Sequence, residues 1–259
     1  MNRIERAFDK QKAFIPFVTG GDPDLDTTEK LILTMSKAGA DLIEIGIPFS
    51  DPVAEGPVIQ AADERAIKAG TTTDHLFDMI SRIRRKTDIP LVFMTYLNPI
   101  YTYGKEKFMK RCKDCGVDGI IVPDMPYEEK DELKEISRTY GITLISMIAP
   151  TSKERIRMIA KQAEGFLYCV SSLGVTGVRK QIKTDINSMI NEVRQVTSIP
   201  CAVGFGISTP EQAKKMAEVS DGAIVGSAIV KLVAEYGTEC LNPVSKYVSD
   251  MKKAVSEAI

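Results

Sequence analysis

Short apolar segments alternate with longer amphipathic segments along nearly the whole chain. Eight of the short segments are rich in Ile, Val, Leu and Phe, and near-continuous apolar runs are typical of strands buried on both faces. They span Phe14–Val18, Leu42–Ile47, Leu91–Tyr96, Gly119–Val122, Thr143–Met147, Gly165–Val170, Cys201–Gly204 and Ala223–Val225. We predict that each is a strand of one parallel sheet.

The segments between these strands place apolar residues at helical spacing. Helices are predicted over Leu25–Ala38, Asp74–Arg85, Glu106–Asp114, Glu128–Tyr140, Lys153–Gln162, Asp185–Val196 and Pro210–Val219. The charged, amphipathic first twelve residues predict one extra N-terminal helix. Strict alternation of strand and helix implies right-handed parallel crossovers, and eight units favour a closed barrel over an open sheet. We therefore predict an α/β fold, a single (β/α)8 TIM-barrel domain over residues 1–259.

Basic and acidic residues are balanced, with 34 Lys and Arg against 35 Asp and Glu. This argues against a nucleic-acid groove or a polybasic membrane patch, because both need a local excess of positive charge. The densest basic run, Arg82–Lys86, is interpreted as a solvated helix end. The N-terminal segment lacks the apolar centre of a signal peptide, and no apolar run reaches the ~18 residues of a membrane span, so we expect a cytoplasmic protein.

The cysteines and the single histidine offer little chemistry. Cys112 and Cys115 form a CxxC pair, but it falls inside a predicted helix with no second pair nearby, so we interpret it as helix packing. His75 lies near a helix start and is interpreted as a surface residue. Because no dinucleotide fingerprint, Walker loop or HExxH motif occurs, we expect chemistry without a cofactor or a metal.

Reacting groups of such barrels lie in the loops after the strands. Two adjacent glycine-rich loops, Gly204–Ser208 and Gly226–Ala228, follow the last two strands, and the second opens a helix. Glycines let backbone amides approach an anion, and a helix N-terminus attracts one. We predict a phosphate site here rather than tight turns alone, with Gly174–Gly177 as a third wall.

Two carboxylates are candidates for proton transfer. Glu44 is the only charged side chain within an apolar strand, where burial raises its pKa into the range of a general acid or base. A structural ion pair inside the barrel is the alternative. Glu55 lies in the loop after the same strand, and its composition leaves open whether it is solvated or functional.

These motifs resemble the α-subunits of tryptophan synthase along nearly the whole chain. The stretches that carry the resemblance are Phe17–Pro23, Asp41–Gln60, Tyr96–Pro99, Pro123–Pro126, Tyr168–Gly177, Gly204–Ser208 and Val225–Ala228. The sequences EIGIPFSDP and GVTG are specific to that family, whereas the phosphate loops are shared by many barrels.

The resemblance implies retro-aldol cleavage of indole-3-glycerol phosphate to indole and glyceraldehyde 3-phosphate. It assigns catalysis to Glu44, Glu55 and Tyr168, substrate contacts to Phe17, Tyr96, Asp124 and Thr176, and phosphate contacts to Gly177, Gly206, Gly226 and Ser227. Glu55 stands where the family has an aspartate, one methylene shorter, that accepts the indole N–H. We expect activity to be retained despite this departure.

The resemblance also implies a partner, a β-subunit that carries pyridoxal phosphate, in an α2β2 assembly, whereas the α-chain needs no cofactor. The loops around 50–60 and 174–184 are expected to act as lids. Two alternatives remain open: another sugar-phosphate isomerase or epimerase, and a catalytically weak barrel that mainly activates the β-subunit.

Overall fold

Eight parallel strands close into a barrel in the computed structural model, which describes residues 1–9, 11–170, 186–204 and 206–258. The strands are β1 (Ala13–Thr19), β2 (Ile43–Gly46), β3 (Leu91–Met94), β4 (Gly119–Ile121), β5 (Thr143–Ile148), β6 (Leu167–Val170), β7 (Cys201–Gly204) and β8 (Gly222–Val225). Each strand pairs with its sequence neighbours, and β1 closes the ring by pairing with β8. The predicted fold and all eight strands are confirmed.

Helices surround the barrel between successive strands. They are α1 (Arg3–Ala7), α2 (Leu25–Lys37), α3 (Pro57–Lys68), α4 (Thr73–Arg84), α5 (Leu97–Tyr103), α6 (Lys105–Cys115), α7 (Asp131–Tyr140), α8 (Lys153–Ala160), α9 (Ile186–Arg194), α10 (Pro210–Val219), α11 (Ser227–Tyr236) and α12 (Leu241–Ser256). Single 3₁₀ turns cover Tyr127–Glu129 and Gly237–Glu239. No helix in the described part of the chain is long and apolar enough to cross a membrane.

The N-terminal helix α1 is short and forms part of the barrel core. Ile4 and Ala7 are buried in the cluster that fills the barrel interior, and Phe8 packs against Phe166 with ring centroids 5.4 Å apart. This places α1 across the amino-terminal end of the barrel. The opposite end, where the strands finish, is left for a site.

Strand register brings the candidate site residues of neighbouring strands together. Phe17 of β1 is directly paired with Glu44 of β2, which is paired in turn with Val92 of β3. Tyr168 is paired with Ala202 of β7. Because register alternates side chains between the two faces of a sheet, it decides which of these groups point into the barrel.

The basic run Arg82–Lys86 differs from the sequence interpretation. Arg84 is largely buried, donates to the carbonyl oxygens of Gly116 and Ile89, and bonds Asp118 at 2.9 Å. Interpreting the whole run as solvated was therefore wrong, because this guanidinium holds the ends of two loops.

The cysteine pair and the histidine lie where the sequence interpretation placed them. Cys112 and Cys115 are buried free thiols on α6. His75 is an exposed residue in the first turn of α4.

Candidate active site

A cavity opens at the carboxyl ends of the strands and encloses about 530 Å³, including the space at its mouth. It has apolar walls and a few polar groups, the usual make-up of a small-molecule site. Its lining residues are Phe17, Glu44, Glu55, Ile59, Met94, Tyr168, Gly206, Ile207, Ile224, Gly226 and Ser227. Most of the sequence candidates therefore meet in one place.

Glu44 is the central polar group of this cavity. The residue is 0% exposed, and neither carboxyl oxygen has a hydrogen-bond partner among the described residues. No salt bridge to it occurs there either, so the structural ion-pair alternative finds no support in the described part of the chain. Burial without a partner raises the pKa of Glu44 well above its ordinary value. The cavity thus holds an acid that keeps its proton unless a ligand changes its surroundings.

Tyr168 lies within β6, and its ring fills the barrel beside Glu44. Burial and the nearby Glu44 charge raise the pKa of Tyr168, so the phenol is neutral. Its hydroxyl approaches the backbone of β7 closely: a Cβ on Gly204 would lie 2.5 Å from it. Gly204 is therefore needed here to make room for the tyrosine rather than to bind an anion.

A similar close approach positions Phe17. A Cβ on Gly46 would lie 2.7 Å from the tip of the Phe17 ring, so glycine at the end of β2 lets that ring lie across the cavity wall. Phe17 also packs against Ile59 of α3 and Val230 of α11. This apolar wall suits a flat aromatic ligand.

Glu55 enters the cavity from the β2–α3 loop. Its carboxyl group is half-buried, Oε2 is fully buried, and the Tyr96 hydroxyl faces it. Tyr96 also accepts the backbone N–H of Ala54 at 3.1 Å, and its ring packs on Phe49 at 5.6 Å. Of the two possibilities left open by the sequence, the structure places Glu55 in the site. Tyr96 supports it from behind and does not line the cavity.

The cavity ends at the N-terminus of α11. Gly226 is the N-cap of this ten-residue helix and Ser227 is its first residue, and among the described residues no side chain caps its first amides. Gly206 lies beside them with φ +83°, a left-handed conformation suited to glycine. The uncapped amides and the helix dipole make this end attractive to an anion.

The β7–α10 loop is anchored from outside the cavity. The Gln212 side-chain oxygen accepts the backbone N–H of Ser208 at 2.8 Å, and the Tyr247 hydroxyl of α12 donates to the Ser208 carbonyl oxygen at 2.9 Å. These bonds hold Gly206 and Ile207 against the cavity.

The remaining sequence candidates are not part of the described cavity. The Asp124 carboxylate accepts the backbone N–H of Leu97 at 3.0 and 3.2 Å, which joins the β4 loop to the start of α5. Its contact with a substrate remains a prediction. Thr176, Gly177 and the 174–184 lid lie outside the described residues.

Sequence reasoning missed the apolar lining residues and one buried acid. Met94, Ile59, Ile207 and Ile224 line the cavity but look like ordinary core positions in the sequence. Asp63 is buried on α3 and faces Glu55. Its spacing from Ile59, Ala62 and Ala66 puts it on the buried stripe of that helix, and this signal could have revealed it.

Fold and site together define a (β/α)8 barrel with a buried, unpaired acid facing an anion-attracting helix terminus. The protein-family model of the tryptophan synthase alpha chain matches residues 5–256. The chain therefore belongs to the tryptophan synthase alpha chain family, lyases of tryptophan biosynthesis.

Individual relatives agree over nearly the full length. The tryptophan synthase alpha chain of Lacticaseibacillus casei is 48% identical over 255 residues, covering 98% of this chain and 96% of the relative. That of Thermoanaerobacter sp. (strain X514) is 48% identical over 262 residues, covering 98% and 100%.

Solved structures share the architecture. The crystal structure of tryptophan synthase subunit alpha from Legionella pneumophila has a TM-score of 0.89 at 36% identity, covering 98% of each chain. A chain of the tryptophan synthase complex from Pyrococcus furiosus has a TM-score of 0.85 at 36% identity, covering 93% of this chain and 98% of that one.

Proposed function

We propose that this chain cleaves indole-3-glycerol phosphate into indole and glyceraldehyde 3-phosphate. The observation that carries the proposal is one cavity with an unpaired, buried Glu44 on one side and the uncapped N-terminus of α11 on the other. These two groups match the two ends of such a substrate, a carbon skeleton that needs proton transfer and a phosphate.

The residues that line the cavity support a single orientation of this substrate. The phosphate is placed against the amides of Gly206, Gly226 and Ser227, where helix dipole and backbone N–H groups favour an anion. The indole is placed among Phe17 and the other apolar lining residues. This leaves the bond to be broken near Glu44.

Glu44 can perform both proton transfers in turn. As a neutral acid it gives its proton to C3 of the indole, which leaves positive charge on the ring nitrogen. The resulting carboxylate then takes the proton of the adjacent side-chain hydroxyl. The C–C bond breaks, its electrons restore the C2=C3 double bond, and the hydroxyl carbon becomes the aldehyde. Glu44 ends as it began, protonated, in line with the raised pKa of this group.

Glu55 supports this reaction as a hydrogen-bond acceptor for the indole N–H. A negative charge beside the ring nitrogen stabilises the positive charge that develops there in the transition state. The Tyr96 hydroxyl and the buried setting of Glu55 fix the position of its carboxylate.

We further propose a tryptophan synthase β-subunit as partner, in an α2β2 assembly. The solved structures similar to this chain include the tryptophan synthase complex of Pyrococcus furiosus and tryptophan synthase of Mycobacterium tuberculosis. The pyridoxal phosphate of the assembly belongs to the β-subunit, and the α-chain uses its own side chains without a cofactor.

Product analysis tests the proposal. The purified chain, incubated with indole-3-glycerol phosphate, is expected to release indole and glyceraldehyde 3-phosphate in equal amounts, faster when a tryptophan synthase β-subunit is added. A chain that only speeds serine chemistry in the β-subunit, without indole release, is the activating barrel that the longer Glu55 side chain would favour. Absence of both effects would rule out the proposed function.

A further inference from the structure

Asp63 is a buried acid that the proposed chemistry leaves unused. It lies on α3 and is 3% exposed, whereas the side chain of its neighbour Glu64 is 70% exposed. Burying a carboxylate without a cation is costly, so the surroundings of Asp63 must either neutralise it or satisfy it with hydrogen bonds.

The polar groups facing Asp63 come from three segments around α3. Glu55 of the β2–α3 loop contacts its carboxyl group, the backbone N–H of Phe49 bonds it, and Asp22 after β1 adds a second negative charge. Tyr96 at the start of α5 lies close enough for the charges of Glu55 and Asp63 to raise the pKa of its hydroxyl. No cation pairs with Asp63 among the described residues.

The arginine of α3 is already paired with another carboxylate. Arg65 bonds both carboxylate oxygens of Asp22, through Nε and Nη2, each at 2.8 Å. It therefore neutralises Asp22 rather than Asp63.

The contact between Asp63 and Glu55 lacks a donor. Asp63 Oδ2 and Glu55 Oε2 are both buried, and no N–H or O–H group of the described residues reaches either oxygen. Two carboxylates in contact cannot both stay ionised, so the pair holds a proton at neutral pH. Asp63 is 3% exposed, whereas Glu55 is only half-buried, so the more deeply buried Asp63 holds that proton. Burial and the Glu55 charge raise the pKa of Asp63 to about 9, in the same direction.

We infer that Asp63 is a neutral positioning acid whose hydroxyl donates to Glu55 and orients that carboxylate toward the indole N–H, which rests on the proposed function. In this form its carbonyl oxygen accepts the Phe49 N–H while its hydroxyl satisfies Glu55. Asp63 and the Tyr96 hydroxyl then hold the Glu55 carboxylate, and its remaining lone pairs are left for the ligand. This fixes a side chain that is one methylene longer than the aspartate of the family.

Two substitutions separate this role from packing. Asp63→Asn keeps one acceptor and one donor but cannot ionise, whereas Asp63→Ala removes both. At pH 7 we expect Asp63→Ala to lower kcat/KM for indole release by about 10- to 100-fold, because Glu55 loses its position. Asp63→Asn is expected to recover most of this loss.

The pH dependence of indole release separates the two roles further, because a side chain that acts only by packing would not change it. Wild-type activity is expected to fall as Asp63 ionises near pH 9 and repels Glu55, and Asp63→Asn is expected to lack that fall. The matched control is Glu64→Gln, the exposed neighbour on the same helix, whose profile is expected to follow the wild type.

Infrared spectroscopy tests for the proton held by Asp63 and Glu55 without relying on an activity assay. The carbonyl stretch of protonated carboxyl groups is expected to lose one component in Asp63→Asn and a different one in Glu44→Gln. The inference is overturned if Asp63→Asn leaves that region unchanged, or if it is as weak as Asp63→Ala and keeps the wild-type pH profile. A wild type that releases no indole contradicts the proposed function instead. The infrared result still shows whether the pair of Asp63 and Glu55 carries a proton.

Discussion

At the scale of single residues, the cavity holds two carboxyl groups in contrasting surroundings. Glu44 is fully buried and has no partner among the described residues, while Glu55 contacts Tyr96 and Asp63. The isolated Glu44 is suited to giving and taking protons, because no partner fixes its charge state. The Glu55 carboxylate is held in place and is suited to accepting a hydrogen bond. The same cavity therefore supports two different tasks.

The isolation of Glu44 has a cost in stability that can be measured. Glu44→Leu removes an unsatisfied buried polar group, so we expect the free energy of unfolding to rise by about 1–3 kcal/mol at neutral pH. The folded-state pKa of Glu44 is raised, so the wild type loses stability as pH increases from about 4.5. The difference between the two proteins should grow over that range in urea unfolding.

The matched control is the same substitution at an exposed glutamate. Glu64→Leu should change the free energy of unfolding by less than about 0.5 kcal/mol. A Glu44→Leu protein that is less stable than the wild type at every pH would show that Glu44 has a stabilising partner.

At the scale of elements, α11 presents to the cavity an N-terminus without a side-chain cap, at Gly226 and Ser227. Ser227→Asp places a negative charge in its first turn, which favours the helix but repels a phosphate. We expect unchanged or higher thermal stability together with binding of glycerol 3-phosphate weakened about tenfold or more, as measured by calorimetric titration.

Ser152→Asp provides the comparison, because Ser152 caps α8 on the outside of the barrel. It should leave glycerol 3-phosphate binding unchanged. Equal binding by wild type and Ser227→Asp would move the phosphate away from α11.

The helices and strands were the part of the structure that the sequence predicted best. Eight strands buried on both faces leave continuous apolar runs, and helices such as α10 begin with a capping box formed by Thr209 and Gln212. Both signals are local, so they can be found without knowing the fold.

The candidate site was predictable only in part. Glu44 stands out because a charge interrupts an apolar strand, and the glycine loops stand out by composition. The contact of Asp63 with Glu55 and the burial of Arg84 depend on tertiary packing. Helical spacing indicates that Asp63 is buried but not which group it contacts, and no local pattern distinguishes Arg84 from a solvated side chain. Asp124 shows the converse, since this polar residue after a strand accepts a backbone N–H at the start of α5 instead of lining the cavity.

At the scale of the whole molecule, the two ends of the barrel differ. Helix α1 covers the amino-terminal end with Ile4 and Ala7, while the carboxyl end carries the cavity. Under the proposed function, indole leaves through the carboxyl end, the face on which we expect a β-subunit to bind. We therefore expect one face to serve both catalysis and assembly.

The most direct test of the central claim is the rate of indole release by wild type and Glu44→Gln. The substitution keeps the size of the side chain and removes the transferable proton, so we predict steady release by the wild type and a fall of about 10³-fold in kcat, with the fold intact. The control Glu64→Gln should match the wild type. Equal rates for wild type and Glu44→Gln would show that the buried acid of the cavity has no part in the reaction.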